Sequence, residues 1–276
     1  MTRAHAVRIA LMVVLIGVAV AFFLPQIWLL ALSLKTKAGV YEYPPRLWSS
    51  DESGANYAFV LTRTQLPWYL WNSLVVSIGS TVATMGIGAP AAFVLSREQF
   101  RQRETMATGL LLAQMVSPIV LLVPLYGLVA RLHLLDSHTG LVLVYTAVQI
   151  PFTIVVLRNF FDALPKSLFE AALLDGATRA TTFRRIALPL LGPGLASVAI
   201  FNLAAYWAEF GLALVLLDSQ QRYTIPIGLF SFQSGYETEW QLVAAASFIG
   251  LLPVLAAFLA LQRFFVAGLT SGSTKG

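Results

Sequence analysis

The chain alternates long apolar runs with short polar gaps. A helix that crosses a bilayer needs about 20 mostly apolar residues. Six windows meet that requirement: residues 7–34, 71–95, 106–130, 140–161, 195–217 and 241–261. Pro118 and Pro124 interrupt the third window, and Pro151 lies in the fourth. The first window is longer than the roughly 7–15-residue apolar core of a secretory signal and lacks a small-residue cleavage site, so it reads as an anchor that stays. The pattern predicts an all-α polytopic membrane protein with six transmembrane helices.

Charge sets the orientation. With the amino terminus inside, the inner segments hold Arg3, Arg8, Arg97, Arg101, Arg103, Arg158, Lys166, Arg179, Arg184, Arg185, Arg263 and Lys275. The outer segments hold Lys35, Lys37, Arg46, Arg63, Arg131 and Arg222. Twelve cations against six place both termini in the cytoplasm by the positive-inside rule. The longest outer segment, from Lys35 to about Leu70, mixes Pro44, Pro45, Trp48 and Trp68 with charges and reads as a small cap.

Composition agrees with this picture. Hydrophobic residues make up 58% of the 276 and charged residues 11%, against about 25% charged in soluble domains. The net charge of +5 sits in the gaps between apolar runs, which argues for membrane loops rather than a nucleic-acid surface. With no cysteine there is no disulfide framework, no thiolate nucleophile and no Cys-based metal site.

One inner segment is unlike the rest. Residues 170–193 read EAALLDGATRATTFRRIALPLLGP. Pro165 suits the first turn of a helix, Lys166 to Asp175 are good helix formers, and Gly176 is a natural stop. Thr178 is placed to cap a second helix running to about Ala187, which Pro189 would end. Gly192 and Pro193 would then return the chain to the membrane. The first arm is about 16 Å long. Leu168, Ala171, Ala172 and Asp175 recur at i, i+3, i+4 and i+7 and give it a small-residue face. Such an insert is a surface helix on the bilayer or a joint to another protein.

Glu170-Ala171-Ala172, Asp175-Gly176-Ala177, Phe183, Ile186, Leu188-Pro189-Leu190 and Pro193 resemble the EAA loop of binding-protein-dependent ABC importer permeases. Pro124-Leu125-Tyr126, Leu135-Asp136, Gly140, Asn159-Phe160-Phe161 and Leu164-Pro165 resemble the same family's third and fourth spans. The tail Gly268-Leu269-Thr270-Ser271-Gly272 with Lys275-Gly276 resembles the end of carbohydrate-uptake permeases of the maltose-transporter second-subunit type. The resemblance covers roughly residues 70–276. It implies a division into a first anchor and extracytoplasmic loop at 1–70, a transmembrane core at 71–263 with the EAA loop at 165–193, and a cytoplasmic tail at 264–276.

The resemblance also implies function. The EAA loop, between spans four and five, would be a helix-bend-helix coupling element docked on a cytoplasmic ATPase subunit. Glu170 and Asp175 would orient it, Ala171 and Ala172 would permit close contact, Gly176 would make the bend, and Ala177, Phe183, Ile186 and Pro189 complete the motif. The implied partners are a second, different permease, two ATPase subunits, an extracytoplasmic solute-binding protein and the lipid bilayer. ATP and Mg would bind the ATPase subunits and not this chain, which has no G-x-x-x-x-G-K-[ST] loop. The implied solute is a disaccharide or oligosaccharide, with a phosphorylated polyol such as a glycerophosphodiester as the alternative. The implied site is a bacterial or archaeal cytoplasmic membrane.

Asn202, Tyr206, Glu209 and Ala213, at i, i+4, i+7 and i+11, share one face of a continuous helix. An acid within a span costs about 2.5–3.5 kcal/mol at the bilayer centre and faces a cavity or the protein interior. Counted from Leu195, Glu209 lies about 21 Å along the axis, toward the outer side. It is a pathway residue or a structural partner for another span, and in an ion-coupled secondary transporter it would be the ion site. Related permeases carry Trp-Asn-Glu-Phe here, whereas this chain has Trp207-Ala208-Glu209-Phe210. Gln114, beside the proline break of span three, is a further pathway candidate, with a simple kink as the plainer account. Ser80, Thr84, Gly88 and Ala92 form a small-residue packing stripe in span two. His133, Asp136 and His138 cluster in one outer loop but lack a fourth metal ligand, so no metal site is expected.

Overall fold

The computed structural model describes residues 3–48, 53–233 and 238–271; the side chains of residues 3, 4, 6 and 261–271 fall outside that description. The described residues form helices and turns without a strand. In chain order the α-helices are α1 (Arg3–Leu34), α2 (Lys37–Val40), α3 (Ala55–Thr62), α4 (Leu66–Arg97), α5 (Arg103–Gln114), α6 (Leu122–Arg131), α7 (His138–Asp162), α8 (Lys166–Leu174), α9 (Arg179–Thr182), α10 (Leu188–Leu190), α11 (Gly192–Ala208), α12 (Gly211–Leu216), α13 (Ile225–Ser231) and α14 (Trp240–Ser271).

Among the described residues, four helical stretches are each long and apolar enough to cross a membrane: Val7–Leu34, Leu66–Arg97, His138–Asp162 and Trp240–Ala260. The third and fifth windows differ from expectation because each is broken. In the third, α5 stops at Gln114, residues 115–121 run as turns, and α6 starts at Leu122. Pro118 has no N–H to give and Pro124 falls in the first turn of α6, where a missing donor costs nothing. The outcome is a full break rather than a kink. In the fifth, α11 ends at Ala208 and α12 begins at Gly211. Helix α14 continues past the expected start of the tail at residue 264 and is helical to Ser271, while residues 272–276 lie outside the described residues.

The chain divides into two compact units. One joins the residues up to Pro67 with Gly228–Leu252, and the other joins Trp68–Ile227 with the residues from Pro253 onward. In the first unit, the connection after α1 is folded rather than loose. Asn56 donates to the carbonyls of Ser33 and Lys35, each at 2.8 Å, and Lys35 Nζ donates to the Arg46 carbonyl. The Ser33 and Tyr57 hydroxyls bond at 2.6 Å, and Tyr57 meets Phe248 edge to face.

In the second unit, α4 and α7 pack along the expected small-residue stripe. Ser80, Thr84 and Ala92 are wholly buried, and a Cβ at Gly88 would lie 2.7 Å from the Thr153 methyl. Only glycine allows the two backbones that close. Two apolar clusters result. One gathers Val129, Leu141, Tyr145, Tyr206, Leu212 and Leu216, and the other gathers Phe93, Leu157, Phe161, Phe169, Ala187 and Val198.

Candidate functional site

The segment between α7 and α11 folds as a helix, a bend and a second helix. Pro165 precedes α8, and Asp175 closes it. Gly176 has φ +80°, a left-handed conformation that an L side chain resists. Ala177 N–H donates to the Ala172 carbonyl at 2.9 Å and Gly176 N–H to the Leu173 carbonyl at 3.1 Å, which is the Schellman closure. The Thr178 hydroxyl accepts from Thr181 N–H at 3.2 Å and caps α9.

Pro189 does not end the second helix. Residues Phe183–Ala187 form a π-helical turn in which Leu188 N–H reaches the Phe183 carbonyl, and α10 carries on through Pro189 to Leu190. The wider turn gives room for the proline ring, which an ordinary α-turn would press against the carbonyl four residues back. The sharp turn comes later, where the axis bends by 77° between Arg179–Leu190 and Gly192–Ala208.

The two faces of α8 differ. Phe169 and Ala172 are buried, whereas Leu168, Glu170, Ala171, Leu173 and Asp175 are exposed and Leu174 is 89% exposed. The small-residue face expected at 168, 171, 172 and 175 is therefore split: Ala172 makes its close approach within its own chain, and Ala171 faces outward. Phe169 sits in a ring cluster with Phe93 at 6.1 Å, and Phe183 lies 5.2 Å from Phe93 and 6.4 Å from Phe161. The Arg97 guanidinium lies over the Phe169 ring at 4.2 Å and donates to the carbonyls of Phe161 and Leu164. Arg179 pairs with Glu98 at 2.9 Å, tying α9 to the end of α4. Ser96 donates to Asp162 at 2.5 Å, and Arg158 bridges Asp162 and Glu104, each at 3.5 Å. Ile186 is half-buried and Pro189 exposed.

The break in span five puts Glu209 in extended backbone at the end of α11. Its Oε1 accepts from Leu212 N–H at 2.8 Å; its Oε2 accepts from Ala213 N–H at 3.1 Å and from the Tyr145 hydroxyl at 2.6 Å. The carboxylate thus serves the free amides that open α12 and is held by α7. The face expected across 202, 206, 209 and 213 is interrupted, because Ala213 belongs to α12. Asn202 is wholly buried, donates to the Thr153 hydroxyl at 2.9 Å and accepts from Gln149 at 3.2 Å. Tyr206 is buried, stacks on Tyr145 with ring centroids 5.4 Å apart, and its hydroxyl bonds that of Thr84 at 2.7 Å. Gln114 is separate from all three. It is exposed and lines a cavity of about 320 Å³ with Gln149, Phe152 and Phe201.

Asp136 has φ +50° and accepts from the N–H groups of Asp218 and Ser219 at 3.1 and 3.0 Å and from the Ser219 hydroxyl. Arg222 stands 3.4 Å away, and His138 bonds the Arg222 carbonyl. Burial alone would raise the Asp136 pKa. The Ser219 and Asp218 hydrogen bonds and the Arg222 charge outweigh it and hold the carboxyl below its ordinary value. Among the described residues, no three of His, Asp and Glu gather as metal ligands.

Several of these residues carry no signal in the sequence. Phe93, Phe169 and Arg97 seat α8, yet only the i, i+3 spacing of Phe169 and Ala172 hints at the inward face. Tyr145 and Thr84 are ordinary span residues until the fold sets them against Glu209 and Tyr206.

A profile of the binding-protein-dependent transport system inner membrane component matches residues 84–271. The diacetylchitobiose uptake system permease protein DasC of Streptomyces coelicolor is 35% identical over 252 residues, covering 91% of either chain. The arabinooligosaccharides transport system permease protein AraQ of Bacillus subtilis is 31% identical over 277 residues, covering 98% of this chain and 96% of its own. A bacterial ABC transporter involved in the import of the acidic polysaccharide alginate superposes with a TM-score of 0.82 at 20% identity, over 96% of this chain and 99% of that one. An all-helical chain with membrane-length apolar helices and this extent of similarity belongs to the binding-protein-dependent transport system inner membrane component family, the permease subunits of ABC importers.

Proposed function

We propose that this permease imports a disaccharide or oligosaccharide and forms half of the translocation pathway beside a second, different permease. Relatives named for diacetylchitobiose and arabinooligosaccharides, alike to this chain over nearly its whole length, support the carbohydrate reading. The proposed topology has six spans, counting the broken third and fifth windows beside the four membrane-length helices, with both termini cytoplasmic on the twelve-to-six cation bias. The proposed organisation keeps the anchor and outer segment at 1–70, the core at 71–263 with its loop at 165–193, and the inner tail at 264–276. An extracytoplasmic binding protein would deliver the solute, and two separate ATPase subunits would bind ATP and Mg, leaving this chain without catalysis of its own.

One observation carries the coupling assignment: α8 is seated from beneath by rings and presents acids and leucines outward. Leu174 at 89% exposure beside Glu170 and Asp175 gives a patch that a partner would desolvate and two charges that would set its register. Ala171 lets that partner approach closely, and Gly176 and Ala177 close the helix so that the patch ends sharply. Phe183, Ile186, Ala172 and Pro189 serve the seat and the second arm. Along the pathway, Gln114 lines the route, while Asn202, Tyr206 and Glu209 hold its wall in shape.

The test is co-purification. Tagged chain extracted from its native membrane should bring down an ATPase and a second permease, and Glu170→Lys should lose the ATPase at least tenfold while keeping the permease. Purification of the unmutated chain alone, with transport in liposomes driven by an ion gradient, would refute the reading.

A further inference from the structure

We propose that the cavity at the break of span three is a carbohydrate subsite, in which the Gln114 and Gln149 amides bind hydroxyls and the Phe152–Phe201 pair supplies an apolar platform for a sugar ring. The proposal rests on the carbohydrate reading above and adds to it the place on this subunit where the solute is touched.

Four observations converge. First, the backbone at residues 115–121 leaves the helical ladder within an otherwise apolar stretch. Irregular backbone at membrane depth is tolerated where it is covered by protein or lines a watered cavity, and not against lipid. Second, Pro118 and Leu121 of that break line the cavity together with Gln114. An exposed amide on lipid would be as costly as the broken backbone. Third, Pro151 in α7 has no N–H for the Ala147 carbonyl, and both residues line the same cavity. The site therefore sets two side-chain amides beside a proline from each of two spans.

Fourth, Phe152 and Phe201 stack at 4.5 Å between centroids and 26° between planes, with Phe201 54% exposed. A pyranose has one face of C–H bonds and a rim of hydroxyls. It fits an open aromatic face flanked by amides, each of which can donate and accept. The volume of about 320 Å³ is at the lower end for small-molecule sites, enough for one ring rather than a whole oligosaccharide. Asn202 connects this site to the wall: it accepts from Gln149 at 3.2 Å and is itself held by Thr153, so the Gln149 amide is oriented from behind.

The experiment is whole-cell uptake of radiolabelled N,N′-diacetylchitobiose and arabinotriose by a deletion strain carrying the wild-type chain, Gln114→Leu, Phe201→Leu or Phe201→Tyr. Membrane abundance and co-purification of the second permease are measured on every strain. The expected result is wild-type uptake of at least one probe, a loss of about tenfold or more in Gln114→Leu and Phe201→Leu, and uptake within about twofold of wild type in Phe201→Tyr, with assembly intact throughout. Wild-type uptake of a probe that Gln114→Leu and Phe201→Leu leave unchanged overturns the subsite alone. Loss of the second permease from Phe201→Leu shows that the cavity is filled by that partner and also overturns it. Failure of the wild-type chain to restore uptake of either probe overturns the carbohydrate reading and the subsite with it.

Discussion

The two ends of the second unit hold their parts by different physics. At one end, α8 rests on Phe93, Phe161 and Phe183, with the Arg97 guanidinium laid on the Phe169 ring. At the other, α12 is bracketed by two carboxylates: Glu209 takes the amides that open it, and Asp136 takes the amides just beyond its end. Ring contacts tolerate a shift of a few degrees, because tilted and edge arrangements are close in energy. Carboxylate–amide bonds weaken steeply with misalignment. The aromatic end is thus suited to a part that moves as a body and the carboxylate end to a part that stays fixed, as the proposed coupling arm and the proposed pathway wall would each require.

The largest expected effect attacks the aromatic end. Phe93 is buried and touches three other rings, so Phe93→Ala should cost about 3–5 kcal/mol. The loss should centre on α8: amide exchange across residues 166–177 should rise far more than across α12, and the retained ATPase should fall in the same pull-down that tests Glu170. Equal acceleration of exchange at both ends would break the comparison, since it would mean the two clusters are one cooperative structure.

Glu209→Ala is the matching cut at the other end. It strips the acceptor from two backbone amides and from the Tyr145 hydroxyl, and a buried unpaired donor costs about 1–3 kcal/mol. Thermal unfolding in detergent should show a loss of about 2–4 kcal/mol in Glu209→Ala and roughly half of that in Glu209→Gln, whose amide oxygen still accepts. A pathway or ion-site role without a capping role predicts otherwise: normal stability in both variants with transport abolished. That outcome would restore Glu209 to the pathway.

The two ends also differ in how far the sequence discloses them. The bend at Gly176 is legible because its cause is local: glycine accepts that φ at no steric cost, and Thr178 and Pro165 flank it with capping chemistry. The break at Glu209 is illegible because its cause is tertiary. Periodicity alone makes 202, 206, 209 and 213 a continuous face, and nothing near Glu209 in sequence announces Tyr145 or the two amides it serves. Pro118 marks the third-span break, yet its seven-residue extent follows from packing. Pro189 misleads, since a π-turn absorbs a residue that local rules treat as a stop. The inward turn of Ala172 is likewise a matter of where Phe93 and Phe183 stand. Local chemistry is readable, and partner-dependent chemistry is not.

The smallest effect tests whether Asp136 belongs with Glu209 as a fixed bracket. Its carboxyl titrates below the ordinary value because Ser219, Asp218 and Arg222 favour the charged form over the cost of burial. A lowered native pKa means that the unfolded chain takes up the proton first as pH falls. The stabilisation is therefore whole above the ordinary carboxylate value and is lost as pH drops through the lowered one. Below the ordinary carboxylate value, the Asp218 and Ser219 amides should lose protection in the wild-type chain as pH falls through the lowered one. Asp136→Asn keeps an acceptor and a side chain that tolerates φ +50°, so it should leave those amides modestly less protected at pH 7 and insensitive to acid. The amides of Leu212 and Ala213, which depend on Glu209, should be unchanged by that substitution. If they weaken with it, α12 is held as one piece from both ends; if they do not, the two carboxylates are independent clamps.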